Sequence, residues 1–357
     1  MKNRFKVIGM MSGTSLDGLD IACVEYKLLK AGWTFTIIHA ETISYTKKWH
    51  EALANAHTLS AADLLILHGA YGTYLGQQCK EFITRNSLSR VDFIASHGHT
   101  IFHQPKSKMT FQLGDGNAIY AHAGVPVISD FRSLDVALSG QGAPLVPAGD
   151  KMLFQDYDVC VNLGGIANIS RDEGRIRIAC DVCFCNMAFN YLMASTGQRF
   201  DRGGGRAARG TIAPSLLKQL RRVYQPLKKK RTSLGREIFE SNVVPLLDGK
   251  ELSLEDKLAT CVESTAIEII EAVIQPRVKT VLFTGGGAYN AFLMTRLLEH
   301  CADRADLVIP DDDVVNFKEA LIFGFLGVLR FLGKVNTYKS VTGAISDSSG
   351  GVMIGFK

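Results

Sequence analysis

Apolar residues in this chain fall into short runs broken by glycine-bearing turns, and the pattern that opens the sequence returns near its middle. Residues 4–10, with Val7, Ile8 and Met10, read as a buried strand. Residues 11–18 (Met-Ser-Gly-Thr-Ser-Leu-Asp-Gly) form a turn of small, hydroxyl and glycine residues, and 19–26 read as a second strand. The two make a hairpin whose loop is longer and more polar than a simple hairpin requires. Residues 34–39 predict a third strand. Ser60 opens a helix with Asp63 at the capping-box position and apolar residues at Leu64, Leu67, Tyr71, Tyr74 and Leu75. Residues 93–96 predict a short buried strand running into His97-Gly98-His99-Thr100, and 126–129 predict another.

The second half repeats the scheme. Residues 158–162 predict a strand, Leu163-Gly164-Gly165 a turn, 166–170 a returning strand and 176–180 a third. Helical periods follow at 186–193, 258–274, 290–300 and 317–332, with a strand at 280–283 that ends in Thr284-Gly285-Gly286-Gly287. The expectation is an α/β protein of two similar domains with mixed sheets and a cleft between them. Residues 1–150, joined by part of 334–357, form the first domain, and 151–333 the second. At 357 residues the chain has the length for two real cores.

Composition narrows the class. Hydrophobic residues at 46% and charged residues at 21% exclude a disordered chain, a coiled coil and a collagen-like repeat. The longest apolar run, 320–329, is half of what a membrane helix needs, and the segment after Lys2, Arg4 and Lys6 is too short for a signal peptide. The expectation is a cytoplasmic protein with no membrane partner, its eight cysteines free thiols. A net charge of +5 suits an acidic small molecule and is too weak to argue for nucleic acid. The basic stretch 218–236 reads as a solvated face.

Three glycine turns, at 13–18, 164–165 and 285–287, each follow a strand, where backbone N–H groups can approach a phosphate closely. Plain turn geometry explains any one of them; three in a duplicated fold point to a nucleotide cleft. No Walker sequence or dinucleotide fingerprint is present. Asp17, Asp181 and Glu319 are the candidate acids, bases and metal anchors. Asp181 follows an apolar strand, where desolvation would raise its pKa toward a useful base, and it equally suits a helix N-cap. Glu319 equally suits the first turn of a helix. His97, His99 and His103 lack the further ligands of a zinc site and fit a polar, substrate-lining role better. Cys180, Cys183 and Cys185 do not form a metal knuckle and read as packing residues, with Cys180 facing the core and the other two filling a turn.

Residues 9–20 (Gly-Met-Met-Ser-Gly-Thr-Ser-Leu-Asp-Gly-Leu-Asp) resemble the signature of the anhydro-N-acetylmuramic acid kinases. The resemblance continues through Ser96-His97-Gly98-His99-Thr100, Gln112 to Gly116, Asp130-Phe131-Arg132, the Gly-Gln-Gly-Ala-Pro-Leu-Val-Pro stretch at 140–147, Asn162 to Asn168, Gly285 to Asn290 and Lys318-Glu319-Ala320. It implies two RNase-H-like (actin-like ATPase) domains around a nucleotide cleft, ATP with Mg2+, a homodimer, and hydrolytic opening plus O6 phosphorylation of 1,6-anhydro-N-acetylmuramic acid in cell-wall recycling. Asp181 would activate water and Glu319 would help hold the sugar. Gly13, Thr14, Ser15, Leu16, Asp17, Gly18, Leu19 and Asp20 would line the phosphates, with Asp17 near the metal. Asn162, Gly164 and Gly165 would form a second phosphate loop, and Gly285, Gly286, Gly287 and Asn290 would sit by the adenosine. Gly9, Ser12, His97, His99, Thr100 and Asn186 would face the sugar. The family's Asp-Thr-Gly-Pro-x-Asn reads Asp181-Val182-Cys183-Phe184-Cys185-Asn186 here, a change expected to act on the sugar side. A kinase for a related anhydro- or amino-sugar, or a non-catalytic ATP-binding switch, are the alternative readings.

Overall fold

In a computed structural model, residues 2–13, 16–230, 234–249 and 251–357 are described. The principal elements of the first half are β1 (Arg4–Ser12), β2 (Leu19–Leu29), β3 (Gly32–Ile43), α1 (Ala61–Arg85), β4 (Phe93–Gln104), β5 (Met109–Leu113), α2 (Gly116–Ala123), β6 (Val127–Ser129) and α3 (Val146–Leu153). Those of the second half are β7 (Val159–Leu163), β8 (Ile166–Glu173), β9 (Ile176–Phe184), α4 (Asn186–Ala194), α5 (Pro214–Lys230), α6 (Leu254–Val273), β10 (Thr280–Thr284), α7 (Ala291–Cys301), β11 (Asp306–Val308), α8 (Asp312–Phe331) and β12 (Val352–Ile354). They group into two units, residues 1–154 with 317–357 and residues 155–316. Residues 317–333, assigned to the second domain from sequence, pack with the first. Gly9, Gly324 and Gly327 let the apolar face of α8 lie directly on the first sheet, a proximity that chain order does not reveal.

The first sheet runs β12-β6-β4-β1-β2-β3, with β5 hairpinned onto β4. β1, β2 and β3 are antiparallel neighbours, while β1, β4 and β6 are parallel. The second sheet runs β11-β10-β7-β8-β9 with the same directions: three antiparallel strands, then two parallel to the first of them. Each is an RNase-H-like arrangement, so the duplicated pattern of the sequence is a duplicated fold. β1 is buried nearly end to end, because it is central and covered on both faces.

Local sequence explains the helices that matter for the site. Ser60 caps α1 by accepting the Asp63 N–H. α5 buries Leu216, Leu220 and Tyr224 at four-residue spacing and leaves Lys218 and Arg222 exposed on its other face; Arg231, Thr232 and Ser233 of the basic segment lie outside the described residues.

β9 runs four residues beyond its predicted end, which places Asp181 inside a strand and not at a helix N-cap. The pairing with β8 slips between Ala167 and Asn168, a β-bulge at Val182. Val182, Cys183 and Phe184 consequently all enter the second core, where Phe184 meets Phe239 edge-on at 5.1 Å. Cys180 is half-buried and packs against the second core, as expected, while Cys183 belongs to the strand and not to a turn. None of the eight cysteines is in a disulfide.

Candidate active site

The first unit gathers a polar cluster at the ends of β1 and β4. Ser12 pairs in register with His99, and the two side chains meet at Oγ–Nδ1 2.8 Å. The Tyr45 hydroxyl donates to Ser12 Oγ at 2.7 Å and lies 2.7 Å from the Tyr71 hydroxyl. Burial drives the His99 imidazole down to about 4, so it is neutral at physiological pH. His97, the next inward position on β4, is 3% exposed. Its Nδ1 lies 2.8 Å from the Gly98 carbonyl, and Arg132 Nε donates to its Nε2 at 2.9 Å. Thr100 is half-buried, with Gln112 Nε2 at 3.5 Å from its hydroxyl.

Arg132 is half-buried and also donates through Nη1 to the Gly142 carbonyl at 2.6 Å. Gly142 belongs to the Gly-Gln-Gly-Ala-Pro stretch, which wraps the buried Asp135: its carboxylate accepts the Gly142 N–H and the Thr342 hydroxyl, both at 2.7 Å. The Arg132 guanidinium, drawn down to about 10 by desolvation, stays charged, and Glu319 opposes that shift. Glu319 itself is exposed to solvent. Desolvation raises its pKa and Asp20 adds to this, while Arg132 and Lys318 pull it back.

Glu319 is placed by helix α8, fastened on several sides. Lys318 pairs with the buried Asp150 of α3 at 2.8 Å, and the Tyr26 hydroxyl donates to the Leu321 carbonyl. Gly9 of β1 lies so close that a Cβ there would stand 1.9 Å from the Ala320 carbonyl oxygen. Gly9 and Leu19 are therefore packing positions in the structure; Leu19 is a core residue. Gly18 is buried against the Ile43 carbonyl. Gly13 accepts the Leu16 N–H at 3.2 Å in a turn, with Leu16 left-handed at φ 60°. Asp17 is exposed, and Asp20 accepts the Thr42 hydroxyl at 2.6 Å. Thr14 and Ser15 lie outside the described residues.

The second unit builds its site on β7, β9 and β10. Asp181 Oδ2 accepts the Leu234 N–H at 2.8 Å. Asn162, at the paired ends of β7 and β10, would collide with any side chain at Gly285, whose φ is +82°. The carbonyls of Gly164 and Gly165 receive the N–H groups of Asn186, Cys185 and Met187, clasping the β7–β8 turn to the start of α4. Asn186 Nδ2 donates to the Leu163 carbonyl at 2.9 Å. A cavity of about 660 Å³ is lined by Asn186, Phe189, Phe200, Gly286, Tyr289 and Asn290, among others. Phe200 and Tyr289 are largely exposed, and Asn290 caps α7 through Leu293. The loop carrying Phe200 is held by Asp201, which accepts the N–H groups of Arg206 and Ala207 at 2.9 Å. The size suits a nucleoside, and the rings offer it an apolar face.

Sequence reasoning singled out neither Arg132, Tyr45 and Tyr71 nor the Phe200 and Tyr289 walls. Arg132 and Tyr289 lie within the family-like stretches, and the run Gly203-Gly204-Gly205 is the signal that could have marked the Phe200 loop. Tyr71 carried no functional signal, since an aromatic residue at helical spacing reads as core, and Tyr45 lies in the loop after β3 outside any recognisable motif. Among the described residues no three His, Cys, Asp or Glu side chains cluster as metal ligands. A Mg2+ ion carried on nucleotide phosphates needs only one or two protein carboxylates, which the exposed Asp17 can meet. No helix among the described residues is long and apolar enough to cross a membrane.

Two RNase-H-like units, one with a nucleoside-sized cavity beside glycine turns, belong to the actin-like ATPase and sugar-kinase class. The family model for anhydro-N-acetylmuramic acid kinase matches residues 5–355. The anhydro-N-acetylmuramic acid kinase of Aliivibrio fischeri is 34% identical over 98% of each chain. That of Francisella tularensis subsp. novicida is 32% identical over 95% of this chain and 96% of its own. A solved structure, the activator of the 2-hydroxyisocaproyl-CoA dehydratase from Clostridium difficile with bound ADPNP, aligns over 89% of this chain at 14% identity with a TM-score of 0.43. The chain belongs to the anhydro-N-acetylmuramic acid kinase family.

Proposed function

We propose that this protein is an ATP-dependent kinase that opens 1,6-anhydro-N-acetylmuramic acid with water and phosphorylates its O6, giving N-acetylmuramic acid 6-phosphate. The family match across residues 5–355, which takes in both half-sites, carries the reading. Asp181 takes a proton from water as its oxygen bonds the anomeric carbon. The C1–O6 bond breaks, O6 attacks the γ-phosphorus of ATP, and ADP leaves. The cavity beside Phe200 and Tyr289 would take the adenosine. The turns at Gly13, Asn162 and Gly285 would meet the phosphates through their backbones. Mg2+, held through Asp17, would neutralise charge on the transferring group. Glu319 would hold the sugar, aided by the Ser12 and Thr100 region.

Val182, Cys183 and Phe184, where the family pattern is broken, lie in the core. The break therefore alters packing behind Asp181 and leaves its carboxylate in place, which supports the family's own sugar as substrate. A cytoplasmic homodimer is part of the same proposal. Incubation with Mg-ATP and a panel of anhydro sugars, with ADP and sugar phosphate read by mass spectrometry, tests it. Turnover of a different sugar, or of none, overturns it.

A further inference from the structure

His97 resembles a substrate ligand in the sequence, yet both of its ring nitrogens are already engaged by the protein. The Gly98 carbonyl beside Nδ1, at 2.8 Å, can only accept, so Nδ1 carries the hydrogen. The guanidinium beside Nε2, at 2.9 Å, can only donate, so Nε2 offers its lone pair. The opposite tautomer would set N–H against N–H at one nitrogen and lone pair against lone pair at the other. An imidazolium would set N–H against N–H and positive charge against positive charge. The ring lies 4.6 Å from that of Phe323 on α8, one turn beyond Glu319. Burial, the Arg132 charge and His99 all disfavour its protonation, and only the Gly98 bond opposes them.

We propose that His97 is a positioning residue: a neutral imidazole locked with hydrogen on Nδ1, it holds the Arg132 guanidinium in one orientation. This deepens the kinase reading and rests on it for its functional meaning. Arginine has no acceptor of its own, and a guanidinium tethered only through Nη1 to Gly142 could swing about that bond. Two fixed bonds remove that freedom. The orientation matters because Glu319 has desolvation and Asp20 working against its charge, and Arg132 is the larger of the two groups that restore it, Lys318 being the other.

Two measurements test the proposal on the full chain. The first is nitrogen NMR of protein labelled at histidine, with His97 assigned by loss of its signals in His97→Phe. The expected signature is a protonated Nδ1 and an unprotonated Nε2, constant between about pH 8 and pH 5. Hydrogen on Nε2, or titration to imidazolium in that range, overturns the lock whatever the enzyme's substrate proves to be. The second is kinetic. His97→Phe keeps a ring against Phe323 and removes the acceptor. We expect kcat/KM for the sugar to fall about 100-fold, with the acid limb of its pH profile displaced upward and the Kd for ATP unchanged. His97→Gln, whose amide oxygen can take the place of Nε2, should recover at least about tenfold of that loss. Equal activity in wild type and His97→Phe, or equal loss in both variants with an unmoved acid limb, overturns the positioning role. Absence of any sugar turnover by the wild type would count against the kinase reading, and the tautomer measurement would still judge the His97–Arg132 arrangement. A His97→Phe protein that does not fold leaves the Gln variant and its pH profile to decide.

Discussion

Replacing Gly9 by alanine places a methyl group 1.9 Å from the Ala320 carbonyl oxygen and 2.8 Å from its carbon. Both obstacles are backbone, so no side chain can rotate away. β1 cannot retreat either, because Gly9 is paired with Ala22 on one side and Ala95 on the other. Helix α8 must move. Restoring an ordinary contact of 3.4 Å requires a shift of about 1.5 Å. The helix is tied by the Lys318–Asp150 pair and the Tyr26–Leu321 bond, so the strain is shared with those contacts. Overpacking of this kind costs about 1–3 kcal/mol. For a unit of this size that lowers Tm by roughly 2–12 °C. Glu319 is next to Ala320 and moves with it, and a displacement near 1 Å at a positioning group costs about 100-fold in rate. Thermal unfolding followed by circular dichroism, with kcat/KM on the anhydro sugar, measures both. ATP affinity should fall far less than kcat/KM, since the nucleoside cavity belongs to the other unit and β1, which leads into the Gly13 turn, stays in place. A Gly9→Ala protein with wild-type Tm and wild-type kcat/KM would refute the account of how Glu319 is placed.

The Asp181→Asn variant should bind ATP normally in calorimetry and lose roughly 10²–10⁴-fold in turnover; near wild-type turnover would make Asp181 structural. Tyr289→Ala should weaken ATP binding by about 2–10-fold with the sugar KM unmoved, and equal affinity would remove Tyr289 from the nucleoside wall. Truncating Phe184 to alanine opens a hole against Tyr224 and Phe239 and should cost about 3–5 kcal/mol in urea unfolding; a loss below about 1 kcal/mol would show that Phe184 is not a core residue. His99, held at about 4 when folded, regains an ordinary value of 6.5 on unfolding. The unfolded chain therefore binds a proton that the folded chain refuses between these limits, and stability should fall on acidification by up to about 1.4 kcal/mol per pH unit. Urea midpoints at pH 7 and pH 5 should converge in His99→Gln relative to wild type; an unaltered difference would place the titration elsewhere.

The strands and the two-fold repetition were legible in the sequence because apolar runs and glycine turns are local signals. A central strand such as β1 must be apolar throughout, and a cap such as Ser60 acts within one turn of its helix. The family motifs were legible for the same reason, as short stretches whose residues are neighbours in the chain. Asp181 and Glu319 could be named from those stretches alone.

Their surroundings could not. β9 was expected to stop at residue 180, because a carboxylate in mid-strand reads as an end; the partners in β8 and the bulge at Val182 carry the strand on to Phe184. Phe184 was expected on the sugar side, and the extra residue of the bulge turns it into the core. Gly9 was expected at the sugar, and the close approach of Ala320, 311 positions later, makes it a packing residue. His97 was expected to offer its ring to a ligand, and the guanidinium of Arg132, brought beside it from after β6, takes the lone pair instead. The sequence by itself determined which residue types are present, which segments become strands and helices, and the family to which they belong. Only the tertiary structure decided which of those residues keep free hydrogen-bonding capacity, since that depends on partners many residues away whose approach is set by sheet order and by the packing of α8.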